Sequence, residues 1–383
     1  MINSNPHLHI IAFDIPYPPN YGGTIDVFFR LKALHQIGVQ IILHCFEYGQ
    51  RKAAQELEKI CTAVYYYPRQ EPLNSLSIRQ PYIIQSRRSS HLLERLEQDK
   101  YPILFEGLHS CYYLHHPNLI ERLKLVRMHN IEWNYYKHLA SSEYNIFKKI
   151  YYSLESKLLK RFESRLTYAN YIFSISPNDH NYLTKRFAEK VIYLPAFHPH
   201  EKLQCLLGKG NYILYHGNLS VNENHQAAIF LIQKVFSTLS YPFIIAGKDP
   251  KASLQQLCQK HQIELISNPQ ENQMQQLIRE AHINIMPTFQ PTGIKLKLLN
   301  ALYLGRHCLA NDDMVNNTGL EKLCTIANTK EAFQQAVQNL MKQAMTQEMR
   351  NHRKQLLDML FSNQENAQTL MKVIMNGELQ IAN

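Results

Sequence analysis

Three stretches carry residue types that can do chemistry. In RMHNIEW, residues 127–133, the imidazole of His129, the amide of Asn130 and the carboxyl of Glu132 follow an apolar run. A histidine at a strand end can hydrogen-bond a substrate hydroxyl or move a proton, and Glu132 can orient it or act as a base. The chain has nineteen histidines, most of them structural by that count alone; position at a strand end singles this one out. In TGIKLKLLNAL, residues 292–302, Thr292 reads as a helix cap and Gly293 as a point of close approach, followed by Ile294, Lys295 and Lys297. Cations are disfavoured at the positive end of a helix dipole, so the two lysines make sense there if an anion binds. With Lys248 of AGKDP (246–250), this N-terminus reads as a cradle for a diphosphate, and Asn300, on one helical stripe with Gly293 and Lys297, as a contact to a sugar hydroxyl one turn deeper. The plainer alternative is that Lys297 snorkels and Asn300 satisfies a neighbouring backbone group.

The third stretch is DIPYPPNYGGT, residues 14–24, between the first strand and the first helix. Its prolines stiffen the loop, and Gly22 and Gly23 offer backbone N–H groups just before the helix, at the βα turn where doubly wound domains bind ligands. The spacing matches neither a dinucleotide fingerprint nor a P-loop. HGNLSVNEN, residues 216–224, has Gly217 and Asn218 on a turn; turn and cap chemistry alone explains its asparagines.

Short β-branched runs alternating with helical patterns must position these residues, which predicts parallel strands with crossover helices. The first series begins with HLHIIAFD (7–14), a helix over 25–37 and VQIILHCF (39–46), and continues through AVYYYP, ILFEG and KLVRMH. A long helical segment over about 142–167 precedes YIFSIS and VIYLP. A second series starts at NYILYHG (211–217) and runs through YPFIIAG, IELIS, HINIMP and HCLA into helical sequence. The pattern breaks at PAFHPHEKLQCLLGKGN, 195–211. The expected fold is α/β: two doubly wound Rossmann-like domains, 1–198 and 199–350, facing across a cleft, with a helical segment 351–383 packing back on the first.

Composition sets bounds. With 383 residues, 45% hydrophobic and 19% charged, the chain has the make-up of a soluble globular protein. The net charge of +10 is spread among tyrosines rather than concentrated in long basic tracts. That pattern fits an anionic substrate or membrane surface better than nucleic-acid reading, and a solvated basic face explains it equally well. Seven cysteines form no C-x-x-C pair and lie in apolar surroundings, as expected of reduced thiols in a cytoplasmic protein. MINSNPHLH lacks the basic start and apolar core of a signal peptide, and no apolar run approaches the length of a membrane span. Residues 135–165 interleave tyrosines with Lys148, Lys149, Lys157, Lys160, Arg161 and Arg165, which suits contact with anionic headgroups at the inner face of a membrane; a helix crossing the outer face of a domain has the same pattern.

Taken together, PYPPNYGGT, HNIEW, YIFSISPND, YHGNLSVNEN, FIIAGKDP and TGIKLKLLNALYLGRHCLA resemble a GT-B glycosyltransferase of the family-4, group 1 type over nearly the whole chain. The resemblance implies an enzyme that moves a hexose from a nucleoside-diphosphate sugar to a glycan or lipid-linked saccharide, with anomeric configuration retained. By the same resemblance His129 touches the donor sugar, Glu132 belongs to the catalytic group, and Asp14 and Asn130 lie on the acceptor side. Gly22, Gly23, Lys248, Thr292, Gly293, Ile294, Lys295 and Lys297 would line the diphosphate, and Gly217, Asn218 and Asn300 the nucleoside or sugar. The nucleotide-sugar is a co-substrate; no cofactor or metal is implied. Two features depart from the family pattern. Its paired glutamates are Thr292 and Asn300 here, and its arginine and lysine of the donor turn are Asn218 and Asn224. Lys248, Lys295 and Lys297 can supply the missing positive charge. The departures also keep open a noncatalytic GT-B-like binding protein, which would bind without turnover, and a sugar-nucleotide epimerase, which would isomerise donor without acceptor.

Overall fold

Short apolar runs, most of them buried on both faces, build two sheets in the computed structural model, which describes residues 5–71, 77, 79–289, 296–316 and 318–376. The chain divides into two units, Met1–Pro199 with Phe361–Asn383, and His200–Leu360.

The first unit holds β1 (His7–Ala12), β2 (Gln40–Glu47), β3 (Ala63–Pro68), β4 (Ile103–Glu106), β5 (Lys124–Met128), β6 (Tyr171–Ser174) and β7 (Val191–Tyr193). They form one parallel sheet in the order β3-β2-β1-β4-β5-β6-β7. The order reverses between β1 and β4, and such a switch point leaves a crevice at the carboxyl ends of the strands. Period-two alternation sends Leu8, Ile10, Leu104 and Leu125 to one face, against Val27, Leu31 and Leu34 of α1 (Gly22–Gln36). Ile11, Phe105, Val126 and Met128 take the other face, with Leu159 and Phe162.

Two helices differ from the sequence reading. α1 begins at Gly22 rather than Ile25, because the Thr24 hydroxyl donates to the Tyr21 carbonyl at 3.0 Å and closes a first turn made of glycines. The helical segment expected over about 142–167 is the second arm of a hairpin: α2 (Glu132–Ser142), which the sequence reading did not single out, precedes α3 (Ile146–Phe162). Asn145 Oδ1 accepts from the N–H groups of Phe147 and Lys148 at 3.0 and 3.1 Å, capping α3 as a helix separate from α2. α4 (Pro177–Phe187) then follows β6, capped by Ser176.

The second unit holds β8 (Ile213–Asn218), β9 (Phe243–Lys248), β10 (Glu264–Ser267), β11 (Ile283–Met286), β12 (His307–Ala310) and β13 (Thr325–Ile326), parallel in the order β10-β9-β8-β11-β12-β13. Its switch point lies between β8 and β11. α5 (Asn222–Phe230) follows β8, and α6 (Leu296–Leu304) precedes β12. α7 (Gln347–Phe361) ends where the chain re-enters the first unit, and α8 (Asn363–Asn376) lays Ala367, Leu370, Val373 and Ile374 on the α1 side of the first sheet.

Candidate active site

At the switch point of the first sheet, the carboxyl ends of β1, β4 and β5 bring Phe13, Glu106, Gly107 and His129 together. Glu106 is fully buried, an acid inside an otherwise apolar strand, and its Oε2 meets His129 Nε2 at 2.9 Å. Its Oε1 accepts from Arg30 of α1. Arg30 also donates to Asp26 Oδ2 at 2.9 Å, and Arg127 of β5 grips Asp26 through Nε and Nη2, both at 2.7 Å. Asp26 Oδ1 further accepts the Phe197 N–H at 2.8 Å, while Arg127 donates to the carbonyls of Leu194 and Pro195. Burial alone would push the Asp26 carboxyl up, but the Arg127 and Arg30 guanidiniums hold it well below the usual carboxylate range. Asp26, Glu106 and His129 offer ligand atoms within 4.8 Å of one another. Those atoms already face Arg30 and Arg127, two fixed positive charges where a cation would have to enter, so this donor set is a charge-compensated network that fixes the His129 ring.

The sequence reading missed Asp26, Arg30, Glu106 and Arg127. Two of them were visible as charges inside the apolar runs ILFE and KLVRM, where only a buried partner makes a charge tolerable.

Glu132, the first residue of α2, is 2% exposed. Its Oε1 lies 3.8 Å from His109 Nδ1, and neither atom has a hydrogen-bond partner. Burial, reinforced by Asp179, raises the carboxyl to about 8 despite a hydrogen bond from Asn130, so it carries a proton at neutral pH. Burial likewise holds the His109 imidazole well below its ordinary range. The Phe13 ring packs edge-on against His129, with centroids 5.2 Å apart, and tilts over His109 at 5.4 Å. A protonated carboxyl and a neutral imidazole beside an aromatic ring can donate to and accept from sugar hydroxyls without adding net charge.

Asp14 serves its loop. Its Oδ1 accepts the Ile15 N–H at 2.8 Å and its Oδ2 the Tyr21 hydroxyl at 2.6 Å, with Arg51 Nε 3.4 Å away. Gly22 and Gly23 form the first turn of α1, and a Cβ on Gly23 would sit 2.6 Å from the Phe13 ring.

In the second unit, β8 ends at Gly217 and Asn218. A side chain on Gly217 would meet the Asn224 amide at 3.2 Å, and Asn224 Nδ2 donates to the Asn218 carbonyl at 2.9 Å. Lys297, one residue into α6, donates to Asn224 Oδ1 at 2.8 Å and lies over the Tyr215 ring at 5.6 Å. It therefore stands beside the glycine turn at the sheet's switch point. Next to it, buried His216 is lowered to about 3 by desolvation and then by Lys297, which leaves it neutral with Nε2 unpartnered. Lys248 ends β9 opposite Asn218, exposed, its carbonyl accepting the Leu219 N–H at 2.8 Å. Asn300 is engaged elsewhere: its Oδ1 meets His200 Nε2 at 2.8 Å, and His200 stacks on Tyr303. Thr292, Gly293, Ile294 and Lys295 lie outside the described residues.

Two Rossmann-like units with ligand-competent residues at both switch points define the GT-B class of glycosyltransferase. The comparisons agree. Residues 210–343 match the family model for glycosyl transferases group 1. An uncharacterized 44.6 kDa protein in the cps region of Klebsiella pneumoniae is 30% identical over 312 residues, spanning 76% of this chain and 79% of that one. Among solved structures, sucrose-phosphate synthase from Thermosynechococcus elongatus aligns with a TM-score of 0.71 at 13% identity, over 97% of this chain and 98% of the other. The pneumococcal O-GlcNAc transferase solved with UDP and GlcNAc aligns at 0.63 and 10%, over 97% and 98%. The chain belongs to the group 1 glycosyltransferases, enzymes of sugar transfer.

Proposed function

We propose that this enzyme moves a hexose from a nucleoside-diphosphate sugar to a hydroxyl of a glycan or lipid-linked saccharide, with anomeric configuration retained, on the cytoplasmic side of a membrane. The observation that carries the donor half is Lys297 Nζ at 2.8 Å from Asn224 Oδ1, beside the Gly217–Asn218 turn. Where the family pattern has a lysine at position 224, this chain has an asparagine, and the charge comes from α6 instead. Lys297 and Lys248 would neutralise the leaving diphosphate, the charge that grows as the bond to the sugar breaks. The diphosphate departs with the bonding electron pair, the acceptor oxygen bonds to the anomeric carbon on the same face, and the acceptor proton passes to a departing phosphate oxygen.

His129, held by Glu106, would contact the transferred sugar. Glu132 and His109 would hydrogen-bond hydroxyls on the acceptor side. The relative from a cps region supports a glycan acceptor, and the pneumococcal enzyme solved with UDP supports a nucleotide-linked donor.

A thermal-shift screen against UDP-, GDP-, ADP- and CMP-sugars tests the reading. One nucleotide class should raise the melting temperature, by about 2.7 kcal/mol of stabilisation at a hundredfold excess over Kd. Lys297→Ala should abolish that shift. No shift with any donor, or a shift indifferent to Lys297→Ala, would remove the proposal.

A further inference from the structure

The hairpin of α2 and α3 bears a surface that sugar transfer leaves unused. Ser156 Oγ donates to the Trp133 carbonyl at 2.7 Å, so the part of α3 before Ser156 runs beside α2 and the rest continues toward β6. Because α2 starts just past the carboxyl end of β5, the paired portion projects on the side of the sheet where His129 and Glu132 lie. At 1.5 Å per residue it extends about 16 Å.

Glu155, Ser156, Leu159 and Phe162 form the buried face of α3. The opposite face is also apolar. Tyr144 is 99% exposed, Phe147 80%, Ile146 59%, Leu154 55% and Ile150 51%. Single exposed apolar side chains are ordinary, but five within one turn and two helical turns form a patch. Exposed Lys137, Lys148, Lys149 and Lys157 surround it. Of the acids between residues 132 and 165, Glu132, Glu155 and Glu163 are buried, and only Glu143 at the turn reaches the surface. The patch is therefore apolar with a rim on which four exposed lysines outnumber the hairpin's one surface acid, Glu143. A second copy docking there would bring lysines against lysines, because a two-fold contact pairs a patch with itself.

We propose that the hairpin tip docks on an anionic lipid surface, with Phe147 and Ile150 entering the acyl boundary and Lys148 and Lys149 meeting headgroup phosphates. Docked this way, the His129 end of the unit faces the bilayer. That the acceptor is itself carried by the membrane rests on the sugar-transfer reading above; the docking does not.

Flotation of the full-length protein with phosphatidylcholine vesicles, with or without phosphatidylglycerol and at low and high salt, tests the docking. The protein should float with the anionic vesicles at low salt and be released by high salt. Replacing Lys148 and Lys149 together by glutamate should weaken binding by more than roughly tenfold, and Phe147→Glu by a comparable factor. The melting temperature and any nucleotide-sugar shift should stay as in the parent. Absence of flotation at low salt, or binding indifferent to these substitutions, would overturn the proposal. So would self-association without lipid that Phe147→Glu abolishes, which would assign the face to a second copy. Flotation with no nucleotide-sugar response would remove the transferase reading and leave the docking standing.

Discussion

His129 is held by Glu106, Glu106 by Arg30, and Arg30 by Asp26, which Arg127 grips from the other side. Removing one member of such a chain leaves a buried charge without its partner. Asp26→Ala should cost about 3–5 kcal/mol in urea unfolding, because Arg127 then loses its carboxylate partner and Arg30 keeps only Glu106. Glu132 behaves oppositely. Its folded carboxyl is raised to about 8 from an ordinary 4.5, so between these values the folded chain holds a proton that the unfolded chain has released. Its contribution to stability is full below about 4.5 and is lost as pH rises through about 8; Asp179, raised to about 6, adds a smaller loss over the lower part of that window. Glu132→Gln should flatten the decline of stability with pH, removing on the order of 5 kcal/mol of it across the range. An equally steep decline in the variant would show that other groups set it. His129 and Glu132 could be read from their place at a strand end, whereas Asp26 could not, because its partners lie four and 101 positions away and only the fold brings them together.

The strands were the most legible elements: β1, β4 and β5 are buried along almost their whole length, and the sequence displays them as short, near-continuous apolar runs. Helix boundaries were harder, since they hang on single hydrogen bonds. Asn145 caps α3 as a helix separate from α2 and Thr24 lengthens α1 at its start, and neither leaves a periodic trace. Asn300 illustrates a different limit. Among leucines it signals a polar partner but not which one, and the partner is His200, far along the chain. Close strand packing gives an element-scale prediction at Gly247, the fifth residue of β9. A Cβ there would lie 1.9 Å from the Gly217 carbonyl oxygen, so β8 and β9 must separate to admit it. Gly247→Ala should lower stability by roughly 1–3 kcal/mol. It should also weaken any nucleotide-sugar shift, because Gly217 belongs to the turn beside Lys297. A variant with unchanged melting and binding would mean the strands yield freely.

The first unit contains the two ends of its boundaries in sequence, Met1–Pro199 and Phe361–Asn383, with the second unit between them. α8 contributes Ala367, Leu370, Val373 and Ile374 to the same apolar layer as Leu31 and Leu34. Deleting residues 362–383 should therefore cost on the order of 5 kcal/mol in that unit, visible as early proteolysis and dye binding to exposed apolar surface. A truncated chain with the parent's melting curve would contradict this. Helical periodicity near the end was plain in the sequence, but the face that receives α8 lies on α1, more than 300 positions earlier, and no local pattern joins them. This arrangement also gives the protein an order of birth. A chain leaving the ribosome presents the first sheet before the second unit, yet the helix that helps seal one side of it emerges only after the whole second unit. Until then the α1 face is an open apolar surface, and the first unit waits unfinished while the second is made.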